Sequence, residues 1–264
     1  LYQQVWHETE AGTPQGGIIS PVIMNLALDG LETELQNNFA PIKQVHFIRY
    51  CDDFIITSRT KEQLENEVKP LVEKFLKARG LELSPNKTKI THITDGFEFL
   101  GKHIRKFKDK LIIKPSTKNV KTILTKIRET IKGNLHTSVP NLIDKLNPII
   151  KGWANHHQHT VSKKTFFEVD NKTFLSLWHW AKRRHPRKSV AWRRKKYFKS
   201  TDTRNWIFQE TFSDNKGKVR TARLANAADV PIKRHIKIKN KANPYDAEWE
   251  VYFEKRLGLK MLDT

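Results

Sequence analysis

Two short apolar runs, Val45 to Tyr50 and Phe54 to Thr57, are separated by nothing more than Cys51-Asp52-Asp53. Both runs are rich in β-branched and aromatic residues, and so short a link forces the chain to reverse. The segment is therefore predicted to be an antiparallel hairpin with two acids at its tip. Adjacent carboxylates on such a turn repel each other unless a cation lies against them. Mg2+ is the natural candidate, because it takes oxygen ligands and is commonly shared with substrate phosphates. A pair of such ions stabilises the attacking and leaving oxygens of phosphoryl transfer. On these three residues alone a solvated turn is the better account, since Asp is a common turn former.

The flanks of the hairpin read as helices. After the loop Gly12-Thr13-Pro14-Gln15-Gly16-Gly17, Ser20 is a good N-cap and Pro21 suits a first helical position. Ile19, Ile23, Leu26, Leu31 and Leu35 then mark the stripe of one amphipathic helix. Thr60 and Gln63 form a capping-box signature for a second helix carrying Leu64, Val68, Leu71, Val72 and Phe75. Gly80 closes that helix, and Pro70 is a conflict inside it. Strands are expected around Lys89–Ile93 and Phe97–Ile104.

From Ser116 the apolar period changes from two to that of a helix. Val120, Ile123, Ile127 and Ile131 share one face, and Leu142, Leu146, Ile149, Ile150 and Trp153 share another. A third helix is expected from about Lys163 to Arg184, using Phe166, Phe167, Phe174, Leu177 and Trp178. Three amphipathic helices with short links imply a small bundle, with Trp153, Trp178 and Trp180 in its core. Asp202 to Lys218 reads as a linker or hairpin. Residues from Ile232 to Lys239 alternate like a basic-faced strand, and Ala247 to Leu257 form a short helix ending at Gly258.

Charge divides the chain along the same line. Residues 1–100 hold 10 basic and 14 acidic side chains, and residues 101–264 hold 39 and 14. A nearly neutral front followed by a strongly basic back pairs a scaffold or catalytic part with a part that binds a polyanion, for which nucleic acid is the obvious candidate. The density peaks at Lys182 to Lys199, where ten of eighteen residues are Lys or Arg, none is acidic, and Trp192, Tyr197 and Phe198 are interleaved. Cations for phosphates and rings for unpaired bases are what RNA binding requires. Lys182, Arg183, Arg184, Arg187, Lys188, Arg193, Arg194, Lys195 and Lys196 are the candidate contacts there. His156, His157 and His159 lack the spacing of a helical zinc pair and read as structural or RNA-facing. No apolar run approaches the ~18 residues of a membrane span, and one cysteine excludes a disulfide framework. The chain is thus expected in a cytoplasm or an organellar matrix, and not secreted. Residue 1 is Leu and Met24 falls inside a helical pattern, so the sequence reads as the downstream part of a longer protein.

Several motifs together resemble a known family. Phe47-Ile48-Arg49-Tyr50-Cys51-Asp52-Asp53-Phe54 resembles the Tyr-x-Asp-Asp box of reverse transcriptases. Thr13-Pro14-Gln15-Gly16-Gly17-Ile18-Ile19-Ser20-Pro21, followed by Asn25, resembles their Pro-Gln-Gly block. Gly80-Leu81-x-Leu83-Ser84-x-x-Lys87-Thr88 and Gly96-Phe97-x-Phe99-Leu100-Gly101 resemble the next two palm blocks, in family order. More narrowly the wording is similar to group II intron reverse transcriptase/maturases. That likeness continues through Gly152-Trp153-Ala154-Asn155-His156-His157, Trp178-x-Trp180-Ala181-Lys182-Arg183-Arg184-His185-Pro186 and Asn243-Pro244-Tyr245-Asp246.

The resemblance implies an α+β chain. Its parts would be a partial polymerase palm (antiparallel sheet with helices) over 1–110, a three-helix thumb/maturase bundle over 111–200 and a basic DNA-binding segment over 201–264. It also implies RNA-directed DNA polymerisation, with Asp52 and Asp53 as the Mg2+-binding acids. Tyr50 would lie against the primer or incoming nucleotide, Gln15 and Gly16 would approach the dNTP, and Lys87 would act on the leaving pyrophosphate. Lys233, Arg234 and Lys237, with Arg220, Arg223 and Lys239, would belong to the DNA-binding segment. The implied partners are intron RNA, an RNA template with its DNA primer, dNTPs and target DNA, serving splicing and intron mobility. Two departures stand out. Cys51 occupies the place where Ala is the common family residue, and the family's fingers and first metal-binding Asp precede the Pro-Gln-Gly block, upstream of this sequence. An upstream fragment is therefore an expected partner, and no nuclease module is expected. The competing expectation is an RNA-binding splicing cofactor, or a remnant without polymerase activity.

Overall fold

The computed structural model describes residues 17–39, 41–201, 204–213, 217–233, 238–239 and 242–257. They form a mixed α+β structure in two compact units, Leu1–Asp95 and Gly96–Thr264. Among the described residues, no helix is long and apolar enough to cross a membrane.

In the first unit the expected single helix is two. Helix α1 (Ser20–Ala27) starts from Ile19 with no side-chain cap, and α2 (Leu31–Asn38) starts after Gly30, which is at φ 84°. The left-handed glycine reverses the chain and moves the stripe out of register. Leu28, Leu31 and Leu35 are buried, whereas Ile19, Ile23 and Leu26 are exposed. Strands β1 (His46–Tyr50) and β2 (Asp53–Thr57) pair antiparallel with Phe47 opposite Ile56 and Tyr50 opposite Asp53. The alternation of the pleat puts Phe47, Phe54 and Ile56 on one face, where they pack with Leu31, Leu35, Val68, Val72 and Leu76.

Half of the expected capping box forms: Thr60 Oγ1 accepts from the Gln63 N–H at 3.2 Å, while Gln63 Oε1 accepts from Ser58 Oγ instead of the Thr60 N–H. Helix α3 (Lys61–Gln63) runs through a π-helical turn (Leu64–Val68) into α4 (Lys69–Lys77). Pro70 has no N–H to give and its ring crowds the turn before it. The widened turn, in which the Lys69 N–H reaches back to Leu64 O, absorbs that conflict where a kink was the alternative. Gly80, at φ 70°, closes the helix as a Schellman motif, with Leu81 N–H on Leu76 O (3.0 Å) and Gly80 N–H on Lys77 O (3.1 Å).

Residues Lys89–Ile93 are not a strand; Thr88 follows a turn on Ser84 O, and no ladder partner receives the segment. The second expected strand is a hairpin of β3 (Phe97–Phe99) and β4 (Lys102–Phe107), and β5 (Lys110–Pro115) completes a three-stranded antiparallel sheet. Leu100 and Gly101 both have positive φ, 49° and 72°, the pattern of a type I′ turn. At Gly101 a Cβ would meet Asn119 Nδ2 at 2.8 Å, so the turn needs glycine for space as well as for φ.

Helices α5 (Thr117–Lys132), α6 (Val139–His157) and α7 (Lys163–Arg184) form the expected bundle, and the first two are capped by Ser116 and Ser138. Ile127, Leu142, Leu146, Ile150, Phe166, Leu177 and Trp180 are its fully buried centre. Helix α8 (Val190–Tyr197) leads into a second antiparallel sheet of β6 (Phe198–Lys199), β7 (Ile207–Ser213) and β8 (Val219–Arg223). This sheet shares the bundle's core through Phe198 and Phe208, joined by Ala227 from the 3-10 turn after β8. Polar ties reinforce the junction. The Asp170 carboxylate accepts from the N–H groups of Ala227 (2.7 Å) and Ala228 (2.9 Å), and Asn147 Oδ1 accepts from the Ala225 N–H at 2.7 Å. Pro231 to Lys233 and Ile238 to Lys239 are not strand, and the remainder of that expected strand lies outside the described residues. Asp246 caps a 3-10 turn (Ala247–Trp249) that enters α9 (Glu250–Leu257).

Trp180 joins the layers. Its ring is 5.3 Å from that of Tyr197 and 5.8 Å from that of Phe208, and its Nε1–H donates to Asn134 O at 3.0 Å. Trp180→Ala is expected to cost about 4 kcal/mol through cavity formation, visible as a lower urea midpoint at an unchanged m-value.

His157 is the other buried polar node. Asn119 Oδ1 accepts from Trp153 Nε1–H (2.6 Å) and from His157 Nε2 (2.9 Å), which fixes the proton on Nε2 and leaves the buried Nδ1 without a partner. Burial, then His156 and Lys102, hold its pKa down at about 4, against an ordinary 6.5. The unfolded chain therefore binds the extra proton first. The stability of the neutral ring is fully present above pH 6.5 and is lost as the pH falls toward 4. The gap is worth on the order of 3 kcal/mol. Comparing wild type with His157→Gln, the difference in unfolding free energy should shrink as the pH falls from 7 to 5; a constant difference would show that His157 does not carry it.

Candidate active-site turn and nucleic-acid interface

The hairpin tip follows from local backbone chemistry. Tyr50 and Asp53 pair across a two-residue loop, Cys51-Asp52, in which Cys51 has φ 53° and Asp52 does not enter the left-handed region. That sign pattern belongs to the type II′ turns that match strand twist. Asp52 sits at the apex, and Asp53 and Tyr50 lie on the face opposite the core; Tyr50 is 60% exposed. Cys51 is exposed. Arg49, on the core side, steadies the turn: Nη1 donates to Asn25 Oδ1 at 3.1 Å and to Cys51 O at 3.4 Å. This link between α1 and the hairpin was not legible in the sequence, where Asn25 is only a position trailing a glycine-rich block.

The structure thus brings Tyr50, Asp52 and Asp53 together on one tip. Lys87 is exposed in a separate turn, its N–H on Ser84 O. Gln15 and Gly16 lie outside the described residues, as do Arg234 and Lys237. The donor set suits a hard cation, since both carboxylates face solvent on adjacent residues. The described residues supply no third acid or histidine to that pair.

Of the nine cations expected to contact RNA around α8, the structure leaves seven exposed: Lys182, Arg183, Arg187, Lys188, Arg194, Lys195 and Lys196. The other two depart from the expectation. Arg193 is 6% exposed, with Nη1 on His185 O at 3.4 Å and its guanidinium 5.8 Å from the Trp178 ring. Arg184 donates to the carbonyls of Leu135 and Thr137 and lies 5.0 Å from the Trp180 ring, strapping the α5–α6 link to α7. Both are engaged in packing. Tyr197 and Phe198, read as stacking candidates, are buried: Tyr197, the last residue of α8, lies against Trp180, and Phe198, the first of β6, lies against Phe208. Trp192 stays half-buried with Lys188 and Lys196 over its ring at 5.4 and 5.2 Å. His185, which the sequence reading did not single out, donates or accepts with Tyr197 Oη at 2.6 Å. Its pKa is lowered by desolvation and then by Lys196, Arg184 and Lys188. Lys233 is exposed, while its backbone N–H donates to Gln158 O and its C=O meets His159 Nδ1.

Comparison with known proteins matches these two surfaces separately. The family model for reverse transcriptase (RNA-dependent DNA polymerase) matches residues 2–104, and that for the group II intron maturase-specific domain matches residues 120–198. Together they take in more than half of the sequence, in the order expected from the motifs. The chain belongs to the group II intron-encoded reverse transcriptase/maturases. It is 34% identical over 122 residues to Protein YkfC of Escherichia coli, covering 34% of this chain and 31% of that protein. It is 27% identical over 144 residues to Maturase-like protein 1 of Euglena longa (53% and 29% covered). It is 26% identical over 243 residues to Group II intron-encoded protein LtrA of Lactococcus lactis (64% and 39% covered). The chain spans about a third of the length of these relatives. Within this chain the acid tip lies in the first match and the exposed cations of α8 in the second.

Proposed function

We propose that this chain carries the catalytic turn of an RNA-directed DNA polymerase together with an intron-RNA-binding helical domain, the palm and the thumb/maturase part respectively. The observation that supports it best is a pair of solvent-facing carboxylates on a two-residue hairpin turn inside the reverse transcriptase match. In the reaction, a primer 3′-hydroxyl attacks the α-phosphate of a dNTP and pyrophosphate leaves. Asp52 and Asp53 would hold Mg2+, with a third carboxylate from outside the described residues. When bound, the ion supplies charge neutralisation at the reacting phosphate. Asp52 and Asp53 do their part by standing exposed on a turn that Arg49 and Asn25 fix. Tyr50 offers an exposed ring beside them for the primer end or incoming nucleotide, and Lys87 is the cation assigned to the leaving pyrophosphate. The intact acid pair favours this reading over that of an RNA-binding remnant.

The second role is binding intron RNA to support its folding and splicing, with Lys182, Arg183, Arg187, Lys188, Arg194, Lys195 and Lys196 as phosphate contacts. Lys233, Arg220 and Arg223 are assigned to target DNA. The test is primer extension on an RNA template, with this chain alone and with a relative's fingers segment carrying the remaining acid. Mg2+-dependent synthesis in the complemented reaction supports the polymerase role. Silence there, with RNA binding retained, would overturn it and leave the splicing role.

A further inference from the structure

Helix α7 and the segments 204–208 and 224–226 line a groove of about 660 Å³ that neither the acid turn nor the α8 cations account for. Its wall is aromatic. Phe174 and Trp178 stack at 6.4 Å between centroids, and the Trp206 ring stands 6.0 Å from the first and 5.7 Å from the second. Trp206 is 36% exposed and sits at φ 59°, a left-handed conformation that a bulky residue rarely adopts. Such strain persists only where surrounding structure holds it, and it concentrates at functional sites.

The polar groups of the groove are equally telling. Asn171, Asn205 and Asn226 line it, and among the described residues none of their side-chain amides makes a hydrogen bond with the protein. Each amide offers donors and an acceptor in the form that base edges match. The groove's acid is tied back: Asp170 accepts from the N–H groups of Ala227 and Ala228, and beside it Arg204, itself in the lining, pairs with Asp229 at 2.6 and 3.0 Å. Arg194 lies 4.5 Å from the Trp206 ring, which brings one cation of the α8 surface to the groove's edge.

We propose that this groove is a stacking site for an unpaired nucleobase of a single-stranded nucleic acid, with Trp206 as the platform, the asparagine amides on the base edge and Arg194 on the adjoining phosphate. This rests on the reading of α8 as a nucleic-acid face and adds a discrete base-binding position to it. Stacking on an aromatic platform tolerates any base, while phosphate contacts alone do not distinguish a strand that has bases from one that lacks them.

The experiment uses the full 264-residue chain and two probes, single-stranded oligoadenylate and the same backbone with abasic positions. Wild type should bind the first about tenfold more tightly than the second. Trp206→Leu should bring the two together without changing the melting temperature by more than a few degrees, and Trp206→Phe should restore most of the preference. Oligodeoxyadenylate run alongside identifies which strand supplies the base. If Trp206→Leu keeps the tenfold preference, the groove is not the base site, and a loss not restored by Phe also sinks the proposal. The outcomes separate from those of the α8 surface. If neutralising α8 cations abolishes binding while Trp206→Leu changes nothing, only the groove assignment fails. If neither matters, the nucleic-acid face itself is wrong.

Discussion

Replacing Asp52 and Asp53 by Ala should lower Mg2+-dependent DNA synthesis by at least about 10³-fold, several kcal/mol of lost charge stabilisation at the reacting phosphate. The affinity for RNA should stay within about twofold. Both acids are exposed and neither takes part in the core beneath the hairpin, so the fold has no need of them. Asp52→Asn and Asp53→Asn keep the size of each side chain and remove its charge, and should be nearly as inactive. If RNA binding fell in parallel with synthesis, the hairpin tip would belong to the RNA interface and the division of roles between the two units would be wrong. Arg49→Lys provides a graded comparison. It removes the guanidinium whose Nη1 donates to both Asn25 Oδ1 and Cys51 O, and should reduce synthesis by about tenfold while both acids remain in place.

The second large effect concerns the surface around α8. Changing Arg183, Arg187, Arg194 and Lys196 to Gln should weaken RNA binding by about 100-fold near 0.1 M salt. The slope of log affinity against log salt should fall by about 3, because each lost phosphate contact releases fewer counterions. Thermal stability should hardly change, since these side chains are solvent-facing. Arg184→Gln and Arg193→Gln form the contrast. Each removes one charge, as each of the four does, yet they should lower the melting temperature and leave the salt slope almost intact, because one guanidinium straps two carbonyls and the other is buried against Trp178. An unchanged slope in the four-fold variant would remove this surface from the RNA interface.

The contrast also marks how far the sequence could be read. Local chemistry was legible wherever a few adjacent residues settle the backbone. Thr60 caps its helix because a side-chain oxygen within three residues is enough, and Gly80 ends its helix because only a left-handed residue can. The acid hairpin was legible for the same reason, as were the three helices of the bundle, whose apolar periods are long. What lay beyond reach depended on groups distant in sequence. Nothing in the run Ile19 to Leu35 shows that Gly30 turns the chain and leaves Ile19 and Leu26 outside while Leu31 goes in. Phe99-Leu100-Gly101 reads as a continuous strand until Asn119 is packed against the glycine. Within Lys182 to Lys199 the composition could identify a cation-rich surface but could not sort its members, because a charge is solvated or buried according to which ring or carbonyl the fold brings beside it. That is the physical division in this protein. Caps, turns and helical periods are decided by neighbours along the chain, whereas the exposure of Arg194, the burial of Arg193 and the aromatic groove of Phe174, Trp178 and Trp206 exist only once α7, α8 and β7 have packed together.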